Sequence, residues 1–295
     1  MSPFEIVIIV VAVLIAVFLF LLFSVFIINK KFFGSRGDFS NIVSHTVPSD
    51  YPDILSTKIT TKNENNVTLR GYFYKLKKDE KPKGLIIFFH GVGGGQNMYQ
   101  AQIMYFVRNN YYVIAFDNEG SGMSDGKCIG SLGQCNNDAR AVLKFVNSID
   151  EFKSLPIYTL GHSLGGYASI CSTLNNILPI KKSVSISGFH DLVSISMVRI
   201  PKGLFFLRPF IYLFGYIECG KTCNYTMSKA IKKNPHIKFF HLQGSNDDIV
   251  PNKISSDKLT KKTKNAKNFK MKIYEGAEHP HQAQSPKAID INTLK

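Results

Sequence analysis

From Ile6 to Ile28 the chain carries no charged residue and is almost entirely Ile, Val, Leu, Phe and Ala. A helix rises ~1.5 Å per residue, so this run covers roughly the 30 Å of hydrocarbon in a bilayer. The pattern predicts a transmembrane anchor over residues 1–29. A cleaved signal peptide would need a basic start, a shorter apolar stretch and a small-residue cleavage site. Here Glu5 is the only charge ahead of the run, and Phe26, Ile27 and Ile28 stand where small residues would be required. A buried core helix of this length would show a polar face.

Residues 30–50 mix Gly34, Gly37, Asp38, Ser40 and Pro48 without periodicity, and read as a juxtamembrane linker. The pattern then becomes regular over 51–295. Val67 to Leu76, Leu85 to Phe89, Tyr112 to Phe116, Ile157 to Leu160, Ser183 to Ser187, Ile237 to Leu242 and Phe269 to Tyr274 are short, rich in β-branched or aromatic residues, and predict strands. Met98 to Arg108, Asp138 to Asn147, Gly165 to Asn175 and Ile254 to Lys262 have helical spacing. Strands alternating with helices predict an α/β fold with a mostly parallel central sheet flanked by helices. One connection is too long for a single crossover. Residues 188–234 carry Leu204, Phe205, Phe206, Phe210, Phe214 and Tyr216, and read as a helical cap inserted over the sheet.

Four segments follow strands and carry chemistry. Gly161-His162-Ser163-Leu164-Gly165 is a Gly-x-Ser-x-Gly between a strand and a helix, where a sharp turn presents the serine hydroxyl above the sheet. A serine needs a base oriented by a carboxylate, in the chain order Ser, acid, His. Asp247, in Gly244-Ser245-Asn246-Asp247-Asp248, is the candidate acid, with Asp248 its neighbouring rival. His279, in Glu275-Gly276-Ala277-Glu278-His279, is the candidate base, with His281 two residues on. An isolated Asp or His of this kind is often a turn cap or a surface residue, so the weight rests on the joint order. His90-Gly91-Val92-Gly93-Gly94-Gly95 supplies a loop near the nucleophile, and the N–H groups of Val92 and Leu164 are the candidate oxyanion donors. This loop lacks the Gly-Lys-Ser/Thr ending of a phosphate loop.

With these segments in place, the chain resembles the α/β-hydrolase superfamily, and looks most like its bacterial serine aminopeptidase-like and monoacylglycerol lipase-like branch. Asp117-Asn118-Glu119-Gly120-Ser121-Gly122-Met123-Ser124 adds to the match, being similar to the family's Asp-x-x-Gly-x-Gly-x-Ser turn. The tail after His279 is short and contains Pro280 and Pro286, so the family's closing helix is expected to be abbreviated. The resemblance implies hydrolysis of a carboxylic ester through an acyl-enzyme, with no metal or organic cofactor. The branch also holds thioesterases and peptidases, and a hydrolase fold can serve as a silent membrane-bound interaction module. The apolar cap and the anchor point to an acyl or lipid-like substrate.

Charge and cysteines refine this picture. The net charge of +15 comes from scattered Lys with no nucleic-acid module beside it, so nucleic acid is not the expected partner. The densest group, Lys258, Lys261, Lys262, Lys264, Lys267 and Lys270, reads as a solvated face or as a contact with anionic lipid. Lys30, Lys31 and Arg36 follow the span and predict a cytoplasmic catalytic domain. Five cysteines, an odd count without Cys-x-x-Cys, fit free thiols in a reducing compartment; outside it, Cys219 with Cys223 or Cys128 with Cys135 could pair. The sequence leaves the oligomeric state open.

Overall fold

The computed structural model describes residues 1–37, 50–78, 80–198 and 200–280. His281 and Pro286 lie outside them, as do Asp38, Ser40 and Pro48 of the expected linker. The strands are β1 (Ile54–Lys62), β2 (Thr68–Leu76), β3 (Leu85–Phe89), β4 (Tyr112–Phe116), β5 (Ile157–His162), β6 (Ile180–Ile186), β7 (Lys238–Gly244) and β8 (Phe269–Tyr274). The helices are α1 (Pro3–Phe33), α2 (Gln100–Arg108), α3 (Gln134–Asn147), α4 (Asp150–Lys153), α5 (Leu164–Cys171), α6 (Leu192–Met197), α7 (Arg208–Cys219), α8 (Met227–Lys233) and α9 (Ser256–Thr263).

The strands form one sheet in the order β1-β2-β4-β3-β5-β6-β7-β8. β1 and β2 pair antiparallel with each other, and β2 with β4; all other pairings are parallel. The period of two along the central strands explains the two cores. In β3, Leu85, Ile87 and Phe89 face the layer built on α3, α5 and α8, whereas Ile86 and Phe88 face the layer built on α2. A strand covered on both faces can be apolar throughout, and all five residues of β3 are buried.

Between β6 and β7 the chain leaves the sheet at Asp191 and returns at Thr226, where the two residues bridge and close the neck of the excursion. α6, a 3-10 turn at Lys202–Leu207 and α7 lie within it. α8, which falls inside the span expected as cap, instead buries Met227, Ala230 and Ile231 in the main core and serves as the crossover helix.

α1 is 31 residues long, begins with a Ser2–Glu5 capping box, and is long and apolar enough to cross a membrane. Its far end is docked. Phe18 meets Phe210 of α7 with ring centroids 5.4 Å apart, Phe26 meets Phe214 at 6.4 Å, and Val25 is buried. Residues 34–37, expected as linker, are held by backbone bonds: Ile129 N–H donates to Ser35 O at 3.1 Å and Gly37 N–H to Gly120 O at 3.0 Å.

The lysine group divides. Lys258 pairs with Asp191 at 2.9 Å. Lys261, Lys262, Lys264 and Lys267 line a hollow with Lys238, which opens β7. That hollow is at the amino-terminal edge of the parallel strands, opposite the rim at which β5 ends and α1 docks. All five cysteines carry free thiols.

Candidate active site

β5 ends at His162 and α5 begins at Leu164, so Ser163 must reverse the chain alone. It does so at φ 54° and ψ −118°, a conformation an L residue holds only when its surroundings impose it. Those surroundings are visible. Ser163 N–H donates to Ile186 O at 2.8 Å, and Ser163 O accepts from Tyr167 N–H at 3.0 Å. A Cβ on Gly161 would lie 2.1 Å from Gly165 O, and one on Gly165 2.0 Å from Phe89 O. The flanking glycines are therefore required by backbone contact with each other and with β3.

Asp247 and His279 come together from neighbouring strands. A Cβ on Gly244 would meet Ala277 O at 2.3 Å, so this glycine lets the loop after β8 cross the end of β7. Asn246 N–H then donates to Ala277 O at 2.9 Å and fixes the two loops to each other. His279 Nδ1 lies 2.8 and 2.9 Å from the two oxygens of Asp247. The carboxylate also accepts from Val250 N–H at 2.7 Å and from Gln243 Nε2 at 2.9 Å. Burial pushes this carboxyl up, but the bonds from His279 and Val250 and the charge of His279 outweigh it, and its pKa is held below the ordinary 3.8. An ionised carboxylate can only accept, so Nδ1 carries the proton and Nε2 is left as the basic nitrogen. Asp248, by contrast, is exposed.

The His279 ring packs against that of His162, the residue before Ser163, with centroids 4.9 Å apart. The serine elbow and the Asp247–His279 pair thus stand at one rim of the sheet. Val92 and Leu164 join Ser163 in lining a cavity of about 630 Å³. Leu164 opens α5, where an N–H has no acceptor within its own helix.

Three further side chains support the glycine loop. Tyr99 OH accepts from Gly91 N–H at 3.0 Å and lies 2.9 Å from His162 Nδ1, linking the glycine loop to the elbow. His90 Nε2 accepts from Asn118 N–H at 2.8 Å, which places its ring proton on Nδ1, 2.7 Å from Gly91 O. Burial accordingly lowers the pKa of His90. The carboxylate of Asp117 accepts from Gln96 N–H at 2.6 Å and Met123 N–H at 2.8 Å, tying the turn at 117–124 beneath the same loop. No local pattern marks Tyr99 or Gln243, because their partners are remote in sequence.

The cavity is mostly apolar. Its walls include Ile195 and Val198 after β6, Ile211 and Phe214 of α7, and Val25, Ile28 and Phe32 of α1. Among the described residues that line it, Arg36 is the one charged side chain. That guanidinium is already engaged, donating to the carbonyls of Gly122, Ser124 and Gly126 at 2.9, 3.0 and 2.6 Å. Among the described residues no group of His, Cys, Asp and Glu is arranged to hold a metal.

Residues 80–209 match the family model described as serine aminopeptidase, S33. The fold matches that of an esterase from Pyrococcus furiosus with a TM-score of 0.59 at 20% identity, over 81% of this chain and 87% of that one. The fold is that of the α/β-hydrolases. This α/β-hydrolase is 25% identical to rat monoglyceride lipase over 256 residues, covering 74% of this chain and 84% of the lipase. It is 34% identical to caffeoylshikimate esterase of Arabidopsis thaliana over 98 residues, about a third of each chain (32% and 30%). It is a hydrolase by class, with lipase- and esterase-like relatives.

Proposed function

We propose that this α/β-hydrolase is a membrane-anchored serine esterase that cleaves a carboxylic ester, acyl or lipid-like, through an acyl-enzyme. The observation that carries the reading is the elbow of Ser163, opening on an apolar cavity at the rim where Asp247 holds His279 by Nδ1. In this mechanism Ser163 Oγ attacks the ester carbonyl as His279 Nε2 takes its proton. The N–H groups of Val92 and Leu164 receive the developing oxyanion, each donor being worth roughly 2.7–4 kcal/mol of barrier. His279 then protonates the leaving alcohol, and water activated by the same nitrogen frees the acyl group. Asp247 keeps the imidazole in the needed tautomer throughout.

An ester or thioester is favoured over a peptide with a free amine, because the described residues that line the cavity include no carboxylate to pair with an ammonium. In this reading α1 serves as the span, and Lys30 and Lys31 at its end support a cytoplasmic catalytic domain. The test is labelling of the detergent-solubilised full chain with a fluorophosphonate. Wild type should be labelled and Ser163→Ala should not; equal labelling of both would end the serine mechanism. A p-nitrophenyl ester series addresses the substrate, and faster turnover of acetyl than of every longer chain would remove the lipid-like preference.

A further inference from the structure

The hydrocarbon of a bilayer takes ~20 helical residues, so about a third of α1, at 31 residues, is more than a span requires. At its carboxyl end one face of the helix is packed on the domain, with Val25 buried. Val25, Ile28 and Phe32 face the cavity that holds Ser163, and across it stand Ile211 and Phe214 of α7. Asn29, between them in sequence, donates from Nδ2 to Gly130 O at 2.7 Å, and Gly130 N–H returns a bond to Phe33 O at 3.0 Å. Polar ties of this kind fix the rotation of a helix, and therefore which of its residues meet the cavity.

The opposite end of the same wall is apolar and open. α7 begins beside Phe18, well inside the predicted span, and the turn before it exposes Phe205 and Phe206, at 73% and 44%. Aromatic side chains bared next to a span are at home among acyl chains and headgroups, not in water. The cavity runs from Ser163 along α1 as far as Val25, seven residues along the chain from Phe18.

We propose that the carboxyl-terminal third of α1 is a wall of the substrate site, and that an ester with a long acyl chain reaches Ser163 laterally from the bilayer, its chain lying between α1 and α7. On this proposal the membrane helix sets chain-length preference. The inference rests on the serine esterase reading above. A volume of about 630 Å³ is generous for an acetyl group and falls within the usual ~300–1,000 Å³ of a substantial organic ligand.

The test uses the full chain in phospholipid nanodiscs and an alkyl fluorophosphonate with a diazirine at the end of its chain. After attachment to Ser163, irradiation should cross-link the chain end to α1 between residues 24 and 33, read by mass spectrometry of the digest. Cross-links confined to the core or to the cap without α1 would overturn the proposal. As a second measurement, Ile28→Trp should lower the ratio of kcat/KM for a dodecanoyl over a butanoyl ester by about tenfold or more, the range for losing roughly two buried methylenes of binding. An unchanged ratio would overturn it as well. Should the tryptophan disturb folding, the cross-link map decides, since it needs no variant. A folded wild-type chain that forms no adduct at Ser163 would instead refute the esterase reading, a failure distinct from an adduct that avoids α1.

Discussion

Replacing Asp247 by asparagine tests the core of the site with almost no change in shape. Both carboxylate oxygens face His279 Nδ1, and each has a second donor: Val250 N–H at Oδ1 and Gln243 Nε2 at Oδ2. Whichever way the new amide turns, its NH₂ confronts one of these donors, and an unsatisfied buried donor costs about 1–3 kcal/mol. In a domain of this size that is roughly 2–4 °C of Tm per kcal/mol. The larger effect is on catalysis. If the amide presents NH₂ to Nδ1, the imidazole moves its proton to Nε2 and the base is lost; the equivalent change in a serine protease lowers kcat by ~10⁴, or about 5 kcal/mol of barrier. The assay is kcat/KM on a p-nitrophenyl ester in detergent, with melting followed in parallel. Asp248→Asn is the control, since Asp248 is exposed, and it should stay within about twofold of wild type. The reasoning fails if Asp247→Asn keeps more than about a tenth of wild-type activity, or if Asp248→Asn loses as much.

Other outcomes follow from the same geometry. The depressed pKa of Asp247 means that its contribution to stability is present above the unfolded value of 3.8 and is lost as pH falls through the lower folded value. The Tm advantage of wild type over Asp247→Asn should thus be flat above about pH 5 and shrink below 3.8; a gap that widens on acidification would contradict the sign. Tyr99→Phe strands the Gly91 N–H beside the glycine loop, and should cost about 1–3 kcal/mol in denaturant melts together with a fall in kcat. Gly37→Ala would place a Cβ 2.3 Å from Gly93 O, in the loop that follows Val92. Displacing a candidate oxyanion donor from remote chain should lower kcat on a short ester by about tenfold with little change in KM. Wild-type kcat for this variant would show that the anchor segment and the loop are independent.

How much of this was readable in the sequence depended on which force shapes each element. β3 and β4 are buried on both faces and announce themselves as apolar runs, whereas β1, Ile54–Lys62, is a half-exposed edge strand whose lysines and threonines hide its pairing with β2. α8 escaped because Lys229, Lys232 and Lys233 mask the three apolar residues it buries, and the segment reads as part of the cap. Residues 34–37 looked like linker since their order comes from backbone bonds and one guanidinium, which leave no periodicity. Ser163, Asp247 and His279 were legible as candidates because each follows a strand at the same sheet edge. Choosing Asp247 over Asp248 needed burial, which two adjacent aspartates in one loop do not reveal.

The position of α1 changes how the catalytic domain should be delimited. Its last turns and the residues after it engage the loop at 120–130, the turn built on Asp117, and the backbone of Gly93. These are the parts that support the candidate oxyanion loop. Removing the helix to obtain a soluble domain would therefore do more than release a tether. It would strip one wall from the cavity, bare Phe210 and Phe214 of α7, and free the carbonyl of Gly130 that Asn29 now satisfies. An apolar face exposed in that way invites association, and a loop without its buttress loses the preorganisation that makes its N–H groups effective. The apolar helix and the candidate active site are, on this geometry, one folded unit, and α1 belongs to the description of the pocket.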